Sequence, residues 1–170
     1  MAEPAFLVVP NGYHRMDAAA FKARYPNIAM VCPRGAKKRV EKVVPVDLTY
    51  DAYDSDDVVR LAHLDGVAEG EGVMTVVDEE GATVVLNDSV FNVPHGSGLT
   101  GFVFKYVTQS TGGPRVSRVF RWFMMKDRAA LRGALEGLAA TPRLRRVIVS
   151  HHRVIDEAPE QTLRSVAAAL

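Results

Sequence analysis

The sequence predicts an α/β fold in one domain that spans residues 1–170. Residues 6–9 and 28–32 are apolar, strand-sized runs on either side of a helical segment, which is the pattern of two parallel strands with a connecting helix. Two further strand-like runs flank residues 78–81, whose composition predicts a tight hairpin turn. A helix with leucines on one stripe then leads into a third apolar run, residues 147–149, and a last helix.

Composition is typical of a globular protein and excludes several classes. Of 170 residues, 48% are hydrophobic and 24% are charged, which favours a packed core over disorder. No apolar run approaches the ~20 residues that cross a bilayer, and Glu3 lies where a secretory signal would carry positive charge. We therefore predict a cytoplasmic protein with no membrane association. The net charge of +1 indicates no particular partner.

The first half of the chain is predicted to alternate strands and short helices. Asp17 can cap the helix between the first two strands, and the single cysteine, Cys32, is expected to be a buried core thiol. Residues 46–50 alternate apolar and polar side chains, as in a half-buried strand. Ser55 precedes two aspartates and an apolar stripe, which predicts a short capped helix that ends near His63.

The second half contains the clearest signals. Residues 72–77 and 82–86 are predicted to pair through a turn in which Gly81 takes a positive φ. Two stretches rich in Gly, Ser and Thr, residues 96–101 and 108–114, are predicted to be flexible loops around an apolar segment.

Two helices complete the predicted fold. Asp127 is predicted to cap the first of them, and its core-facing stripe consists of Leu131, Leu135 and Leu138. Pro159 starts the last helix, whose inner face consists of Leu163, Val166, Ala167 and Leu170. An apolar cluster before Asp127 is predicted to be core or dimer contact, and its members are Phe120, Trp122, Phe123, Met124 and Met125.

Three polar loops follow predicted strands: Pro-Asn-Gly-Tyr-His-Arg-Met-Asp at residues 10–17, Leu-Asn-Asp-Ser at 86–89 and Val-Ser-His-His at 149–152. Their order and contexts resemble the metallo-β-lactamase superfamily. In that superfamily a strand ends in a His-x-His-x-Asp-His loop, a later hairpin strand ends in a bridging Asp, and a final strand ends in a His. The Pro-Asn-x-x-His opening, the basic turn at residues 34–39 and the Asn-Asp-Ser-Val-Phe-Asn segment at 87–92 resemble a group of uncharacterised metallo-β-lactamase-like proteins. The resemblance implies an αββα sandwich.

The first loop departs from the pattern of the superfamily. With Asn11 at the first ligand position, the other three positions are occupied by Tyr13, Arg15 and Met16, none of which is a normal zinc ligand. A register shifted by one residue places Gly12, His14, Met16 and Asp17 at the four ligand positions. Two metal ions need about four ligands each, which this loop does not supply. The metal site is therefore predicted to be degenerate.

The residues that remain as metal candidates are His14, Asp88 and His151. Two histidines and one carboxylate suit a single zinc, iron or manganese ion with open positions. Alternatively, no metal is bound, Asp88 caps a loop and the histidines are remnants of a lost site. The other three histidines have weaker claims because loop histidines are usually solvated, and these are His63, His95 and His152.

The resemblance also implies missing structure. Members of the superfamily generally have several strands before the first metal loop, whereas ten residues precede Asn11 here. The sandwich is therefore expected to be truncated at its N-terminus, which would leave a sheet edge or face exposed. We expect a homodimer to bury that edge.

Two functions are predicted, and the ligand of either is unidentified. The preferred one is a metallo-β-lactamase-like protein that binds a small molecule or a protein without hydrolysis. The alternative is a mononuclear metal-dependent hydrolase in which Asp88 and His151 hold the metal and His14 is a ligand or general base. Nucleic-acid binding is disfavoured because acidic residues balance the basic clusters around residues 34–39 and 143–146. A serine hydrolase that uses Ser150 and the adjacent His151 is discounted, because neighbouring residues on a strand point to opposite faces.

Overall fold

The computed structural model describes residues 3–170, which contain two main sheets and six helices. The first sheet is parallel and contains, in spatial order, β1 (Phe6–Val8), β2 (Ala29–Cys32) and β3 (Leu48–Thr49). The second sheet is mixed and contains, in spatial order, β4 (Val59–His63), β5 (Gly72–Asp78), β6 (Gly81–Val85) and β9 (Leu144–Ile148). A short antiparallel ladder joins β7 (Phe91–Val93) and β8 (Gly113–Arg115).

The helices flank these sheets. They are α1 (Ala18–Arg24), α2 (Lys37–Val40), α3 (Gly98–Phe102), α4 (Arg118–Phe123), α5 (Arg128–Ala139) and α6 (Pro159–Ala168). A π-helical segment, Val103–Val107, continues α3, and short 3-10 turns occur at Arg34–Ala36 and Tyr50–Ala52. Within residues 3–170, no helix combines the length and apolar character needed to cross a membrane.

Side chains that alternate along β2 divide the first half of the core into two layers. Met30 and Cys32 lie in a buried cluster with residues of α1 and α2, on the outer face of the first sheet. Val31 points the other way and packs against Tyr50 and Leu61, in the cluster between the two sheets. This period of two is the geometry of a strand that is buried on both faces.

The outer face of the second sheet is covered by α5 and α6, which contact each other along their length. Val84 of β6 and Val147 of β9 are fully buried there, and each buried aliphatic side chain of this kind contributes about 1.5–3 kcal/mol. The predicted apolar faces of the two helices supply Leu131, Leu135, Leu163, Val166, Ala167 and Leu170, while Leu138 packs partly buried at the margin. The layers therefore follow the order α, β, β, α, as the sequence predicts.

Several local predictions are confirmed. The hairpin of β5 and β6 turns at Asp78, whose carboxylate accepts from the backbone N–H of Glu80 and of Gly81, and Gly81 has φ 143°. Asp127 caps α5 by accepting from Ala129 and Ala130. Cys32 is fully buried, and β1 and β2 pair in parallel.

The predicted helix from Ser55 to His63 is wrong, because residues 59–63 form the strand β4. Asp56 does bind backbone N–H groups, those of Val58 and Val59, but in a turn that leads into the strand. The burial pattern has the period of a strand, with Leu61 buried between exposed neighbours. The acidic residues therefore form a turn and not a helix cap.

Other elements differ in extent. The strand predicted for residues 46–50 is limited to β3, because the chain turns into a 3-10 helix at Tyr50. The loop predicted for residues 96–101 contains α3, and the stretch 108–114 is not free, since Thr111 is buried and β8 begins at Gly113. Asp17 occupies the N-cap position of α1 but its side chain makes no capping hydrogen bond.

The first sheet ends at β1, which is an edge strand. A groove of about 400 Å³ runs beside it and is lined by residues of β1, of the following loop and of α1. Phe6 is 47% exposed at this edge, and Phe21 of α1 is also exposed. An exposed edge strand with apolar neighbours is a surface that proteins usually cover.

Candidate metal centre

Parallel pairing of β6 and β9 brings Asp88 and His151 together. Val85 is opposite Ile148, and the N–H of Leu86 donates to the carbonyl of Ile148 at 2.9 Å. Carboxyl ends of neighbouring parallel strands meet at the same edge of a sheet, and this is where sites form in α/β proteins. Asp88 and His151 each lie three residues beyond their strand.

His14 reaches the same place from the first sheet. Asn11, in the loop after β1, forms an isolated β-bridge with Glu71 at the start of β5, which ties the two sheets together. The Asn11 side-chain oxygen accepts from the N–H of Tyr13 at 2.8 Å and of His14 at 2.9 Å. This local turn bends the loop so that the His14 ring lies over the end of the second sheet.

The three candidate ligands converge on one oxygen. His14 Nε2 lies 3.0 Å and His151 Nε2 2.8 Å from Asp88 Oδ1, and one ligand atom from each residue lies within 4.8 Å of the others. Asp88 is 18% exposed, whereas both histidines are about one-third exposed. The residues singled out from the sequence therefore share one half-open site.

Two neighbours hold this arrangement. Asn11 Nδ2 donates to Asp88 Oδ2 at 2.7 Å, so that the second carboxylate oxygen is also engaged. The Phe91 ring stacks on the His151 ring with centroids 4.4 Å apart and an angle of 4° between the planes. Asn11 is fully buried, and its amide orients the carboxylate of Asp88.

Glu71 is a residue of the site that the sequence did not indicate. Its buried carboxylate accepts backbone N–H groups at 3.3 Å from Asn87, 3.1 Å from Asp88 and 2.9 Å from Ser89. Burial raises the pKa of Glu71 above the ordinary glutamate value, and hydrogen bonds from Ser89 oppose that shift. A lone glutamate between two glycines carries no motif, so only the folded chain shows that it fixes the Asp88 loop.

The other residues of this loop are not part of the metal-candidate cluster. Arg39 lies over the Tyr13 ring at 4.4 Å, Arg15 donates to the Arg39 carbonyl, and Met16 is 88% exposed. Asp17 is exposed at the start of α1. The register that places His14 at the second ligand position is therefore the one whose histidine reaches the site.

The remaining histidines and Ser150 have other contacts. His63 contacts Asp51 at 3.1 Å, His95 contacts Thr111 at 3.1 Å, and His152 is exposed with φ 78°. Ser150 Oγ donates to the Asn87 side chain, so the hydroxyl is not directed at His151. No other group of three His, Cys, Asp or Glu side chains within residues 3–170 has metal-binding spacing.

A pocket of about 400 Å³ opens on the cluster. Its polar end contains His14, Asp88 and His151, together with Tyr13 and Ser117. Its wall is apolar and consists of Phe91, Val119, Phe120, Phe123 and Met124. Part of the cluster predicted as core or dimer contact thus lines a pocket: Phe120 is buried, whereas Phe123 is 71% and Trp122 is 67% exposed.

The donor set fits one transition-metal ion. Tetrahedral zinc with bonds of about 2.0–2.1 Å holds neighbouring ligand atoms roughly 3.3 Å apart. The two Nε2 to Oδ1 distances are 3.0 and 2.8 Å, and all three ligand atoms lie within 4.8 Å of one another, so these residues could hold one ion. Asn11 supplies the hydrogen bond that a ligating carboxylate normally receives on its other oxygen.

Comparisons with known proteins show a similarity of fold. No protein-family model and no curated protein matches the chain. Among solved structures, DIM-1 metallo-β-lactamase exposed to ceftazidime matches with a TM-score of 0.56 and 13% identity, over 95% of this chain and 66% of that one. A metallo-β-lactamase from Erythrobacter litoralis, with β-mercaptoethanol in its active site, gives 0.57 and 15%, over 97% and 68%.

A third similar structure is FIM-1 from Pseudomonas aeruginosa in its mono-zinc form, with a TM-score of 0.54 and 12% identity, over 97% of this chain and 66% of that one. The chain thus spans about two thirds of the length of the metallo-β-lactamases to which it is similar. The likeness covers both sheets and their flanking helices, since nearly the whole of residues 1–170 is matched. The chain therefore has the metallo-β-lactamase fold.

Proposed function

We propose that this chain is a mononuclear metal-dependent hydrolase whose ligands are His14, Asp88 and His151. The observation that carries the proposal is the convergence of both Nε2 atoms on one Asp88 oxygen at the polar end of a pocket. Three protein ligands that leave a position open toward a pocket are typical of a catalytic metal site, whereas structural sites are closed by four.

The chain supplies ligands for one ion and not for two. Asp88 and His151 come from the second sheet, and the loop after β1 adds only His14. Asn11 is committed to Asp88 through its amide, and Tyr13 lies against Arg39. This interpretation favours zinc, iron or manganese, which accept imidazole and carboxylate together.

Each group around the ligands has a definite task. Asn11 fixes the Asp88 carboxylate, and Phe91 fixes the plane of the His151 ring. The apolar wall around Phe120 lowers the local dielectric constant and strengthens the electrostatic interactions of the ligands. When bound, a divalent ion supplies Lewis acidity and a water of lowered pKa.

Metal content tests the proposal directly. Protein purified without a metal-affinity step is analysed by elemental mass spectrometry, and the parent is compared with His151→Ala and with His152→Ala. His152 is the matched control because it is adjacent in sequence and exposed but outside the cluster. We expect near one equivalent of metal in the parent and the control and none in His151→Ala.

Turnover is measured on the same three proteins with a panel of esters and amides. Hydrolysis that is present in the parent and in His152→Ala, and absent in His151→Ala, supports the proposal. Metal retained at full stoichiometry in His151→Ala, or hydrolysis unaffected by a chelator, contradicts it. Urea unfolding curves of the three proteins show whether a variant has lost its fold.

A second candidate is binding without hydrolysis, and one observation favours it. Both histidine Nε2 atoms and both Asp88 oxygens have hydrogen-bond partners within the protein. The polar groups of the site can therefore satisfy one another. A protein that contains no metal but binds a ligand in the pocket, with binding lost on truncation of Phe123, would support this candidate.

Nucleic-acid binding remains disfavoured because many basic residues are paired. Arg34 contacts Asp51 and Glu69, and Lys37 contacts Glu41 at 2.9 Å. Arg145 of β9 pairs with Glu80 at the β5–β6 turn. These pairs reduce the free positive charge that a phosphate backbone requires.

A further inference from the structure

We infer that the pocket over His14, Asp88 and His151 takes a neutral ester or amide whose far end is uncharged and apolar. The inference rests on the proposed hydrolase function for the reaction, whereas the choice of ligand rests on the pocket itself. The lining combines the three polar side chains of the cluster with five apolar side chains, so a ligand with one acyl group and one hydrocarbon end matches both.

The apolar end is built mainly by α4 and the start of β7. Val119, Phe120 and Phe123 come from α4, Met124 follows the helix, and Phe91 begins β7. Phe120 is nearly fully buried and fixes the base of the wall, while Phe123 projects from its rim at 71% exposure. Aromatic side chains of this kind contribute large contact areas to a bound hydrocarbon group.

Two polar side chains beside this wall already take part in hydrogen bonds. Ser117 Oγ accepts from the N–H of Phe120 at 3.1 Å as the N-cap of α4. The Asn11 amide lies behind Asp88 and donates to it. A ligand with a charged or strongly polar far end would therefore be desolvated against Phe120 and Phe123 without a partner.

Positive charge does not reach the pocket from α4. Among the described residues that line the pocket, none is Lys or Arg. Arg118 donates to the carbonyls of Tyr106 and Val107 at 3.3 and 3.2 Å, and Arg121 donates to that of Ala169 at 3.3 Å. Asp88 is the one carboxylate among the described residues that line the pocket.

Arg39 lies next to the pocket but in a separate cleft. That cleft has a volume of about 200 Å³ and shares with the pocket only Tyr13, Phe123 and Met124. The Arg39 guanidinium lies 4.4 Å over the Tyr13 ring. Arg39 itself does not line the main pocket.

The reaction places its charge at the polar end. In hydrolysis the oxygen of water bonds to the acyl carbon, the C–O or C–N bond breaks, and a proton from water passes to the leaving oxygen or nitrogen. The products are a carboxylic acid and an alcohol or amine. The acid forms beside the histidines and Asp88, so the apolar wall contacts an uncharged group before and after the reaction.

Binding of two matched probes tests the inference. N-benzylbutyramide is neutral, and 4-(butyramidomethyl)benzoate differs from it only by a carboxylate on the ring. Each is titrated by calorimetry into the parent protein, into Phe123→Ala and into Trp122→Ala, both as purified and after chelator dialysis. Trp122 is the matched control because it lies on the same helix, is 67% exposed and does not line the pocket.

We expect the neutral amide to bind the parent at least ten-fold more tightly than the carboxylate. Phe123→Ala is expected to weaken the neutral amide about ten-fold, and Trp122→Ala to leave it unchanged. Failure of both probes to bind, equal or tighter binding of the carboxylate, or equal effects of the two substitutions overturns the inference. Binding that persists after chelation upholds the pocket even where metal analysis has contradicted the hydrolase.

Discussion

The two sheets contribute different numbers of candidate ligands to the site. The second sheet contributes Asp88 and His151 from adjacent strands, β6 and β9, and is covered by the long helices α5 and α6. The first sheet contributes only His14, from a loop after a three-residue edge strand. Two of the three candidate ligands thus come from the sheet in which neighbouring strands and a continuous core fix the backbone. The first sheet, which lacks this support, supplies one.

Glu71 and Asn11 join the two halves. Their backbones form a β-bridge between the sheets, while the Glu71 carboxylate holds the Asp88 loop and the Asn11 amide holds the Asp88 side chain. His14, at the end of the same hydrogen-bonded turn, depends on Asn11 for its position. The difference between the halves can therefore be tested at these two residues.

The largest effect is expected for Glu71→Ala. It leaves the backbone N–H groups of Asn87, Asp88 and Ser89 buried without their acceptor, and each such group costs about 1–3 kcal/mol. Relief of the burial that raises the pKa of Glu71 offsets part of that loss. We expect the free energy of unfolding in urea to fall by on the order of 3 kcal/mol.

Two variants complete this test. Glu71→Gln keeps one acceptor oxygen and should lose roughly half as much stability, because its NH₂ group then faces a backbone N–H. Glu79→Ala, at the exposed hairpin turn, should change stability by no more than about 0.5 kcal/mol. Equal unfolding curves for Glu71→Ala and Glu79→Ala would show that the carboxylate does not fix the Asp88 loop.

Asn11→Ala is expected to weaken metal binding. Loss of the hydrogen bond to Asp88 Oδ2 frees the carboxylate to rotate, and removal of such a partner typically lowers metal affinity about 10–100-fold. Competition with a chromogenic chelator measures the affinity. Thr111→Ala, a buried polar residue that contacts His95, is the control and should retain parental affinity.

Much of the second half-site could be predicted from the sequence, because its strands and helices have strong local signals. The hairpin turn at Gly81, the Asp127 cap and the leucine stripe of α5 each follow from a few adjacent residues. They place residues 88 and 151 directly after predicted strands. The resemblance adds His14 and predicts that the three loops share a site, and the three metal candidates lie together in the fold.

The first half and the support of the site could not be predicted in the same way. Asp56 offers the same hydrogen bonds to a turn as to a helix, so the identity of β4 depends on its pairing with β5. Glu71 has its role only because β5 brings it beneath residues 87–89, sixteen to eighteen positions further along the chain. Such long-range contacts leave no periodic pattern in the sequence.

The exposed edge at β1 gives a prediction about assembly. We propose that a second copy of the chain pairs with this edge, because Phe6 is exposed there and the sheet ends at β1. The Ala5 carbonyl and the Val9 N–H form backbone hydrogen bonds with β2, and alternate residues of a strand direct these groups to opposite sides. The N–H of Val8 therefore faces away from β2, and Val8→Pro removes it. Sedimentation at micromolar concentration should give a dimer for the parent and a monomer for Val8→Pro, and a monomeric parent contradicts the proposal.

The smallest effect is expected at Cys32, which tests whether the outer face of the first sheet is packed as firmly as that of the second. Burial raises the pKa of the Cys32 thiol from its ordinary value of 9.0 to about 11, while the charge of Lys37 lowers it slightly. The thiolate is the reactive form, so alkylation of the native protein at pH 8 should be at least ~100-fold slower than in urea. Because the folded pKa is raised, the thiol favours the folded state below pH 9.0 and that contribution is lost as pH rises toward about 11. If the native protein is alkylated as fast as the protein in urea, the first sheet opens readily. The first sheet would then be less stable than the second, in addition to supplying fewer ligands.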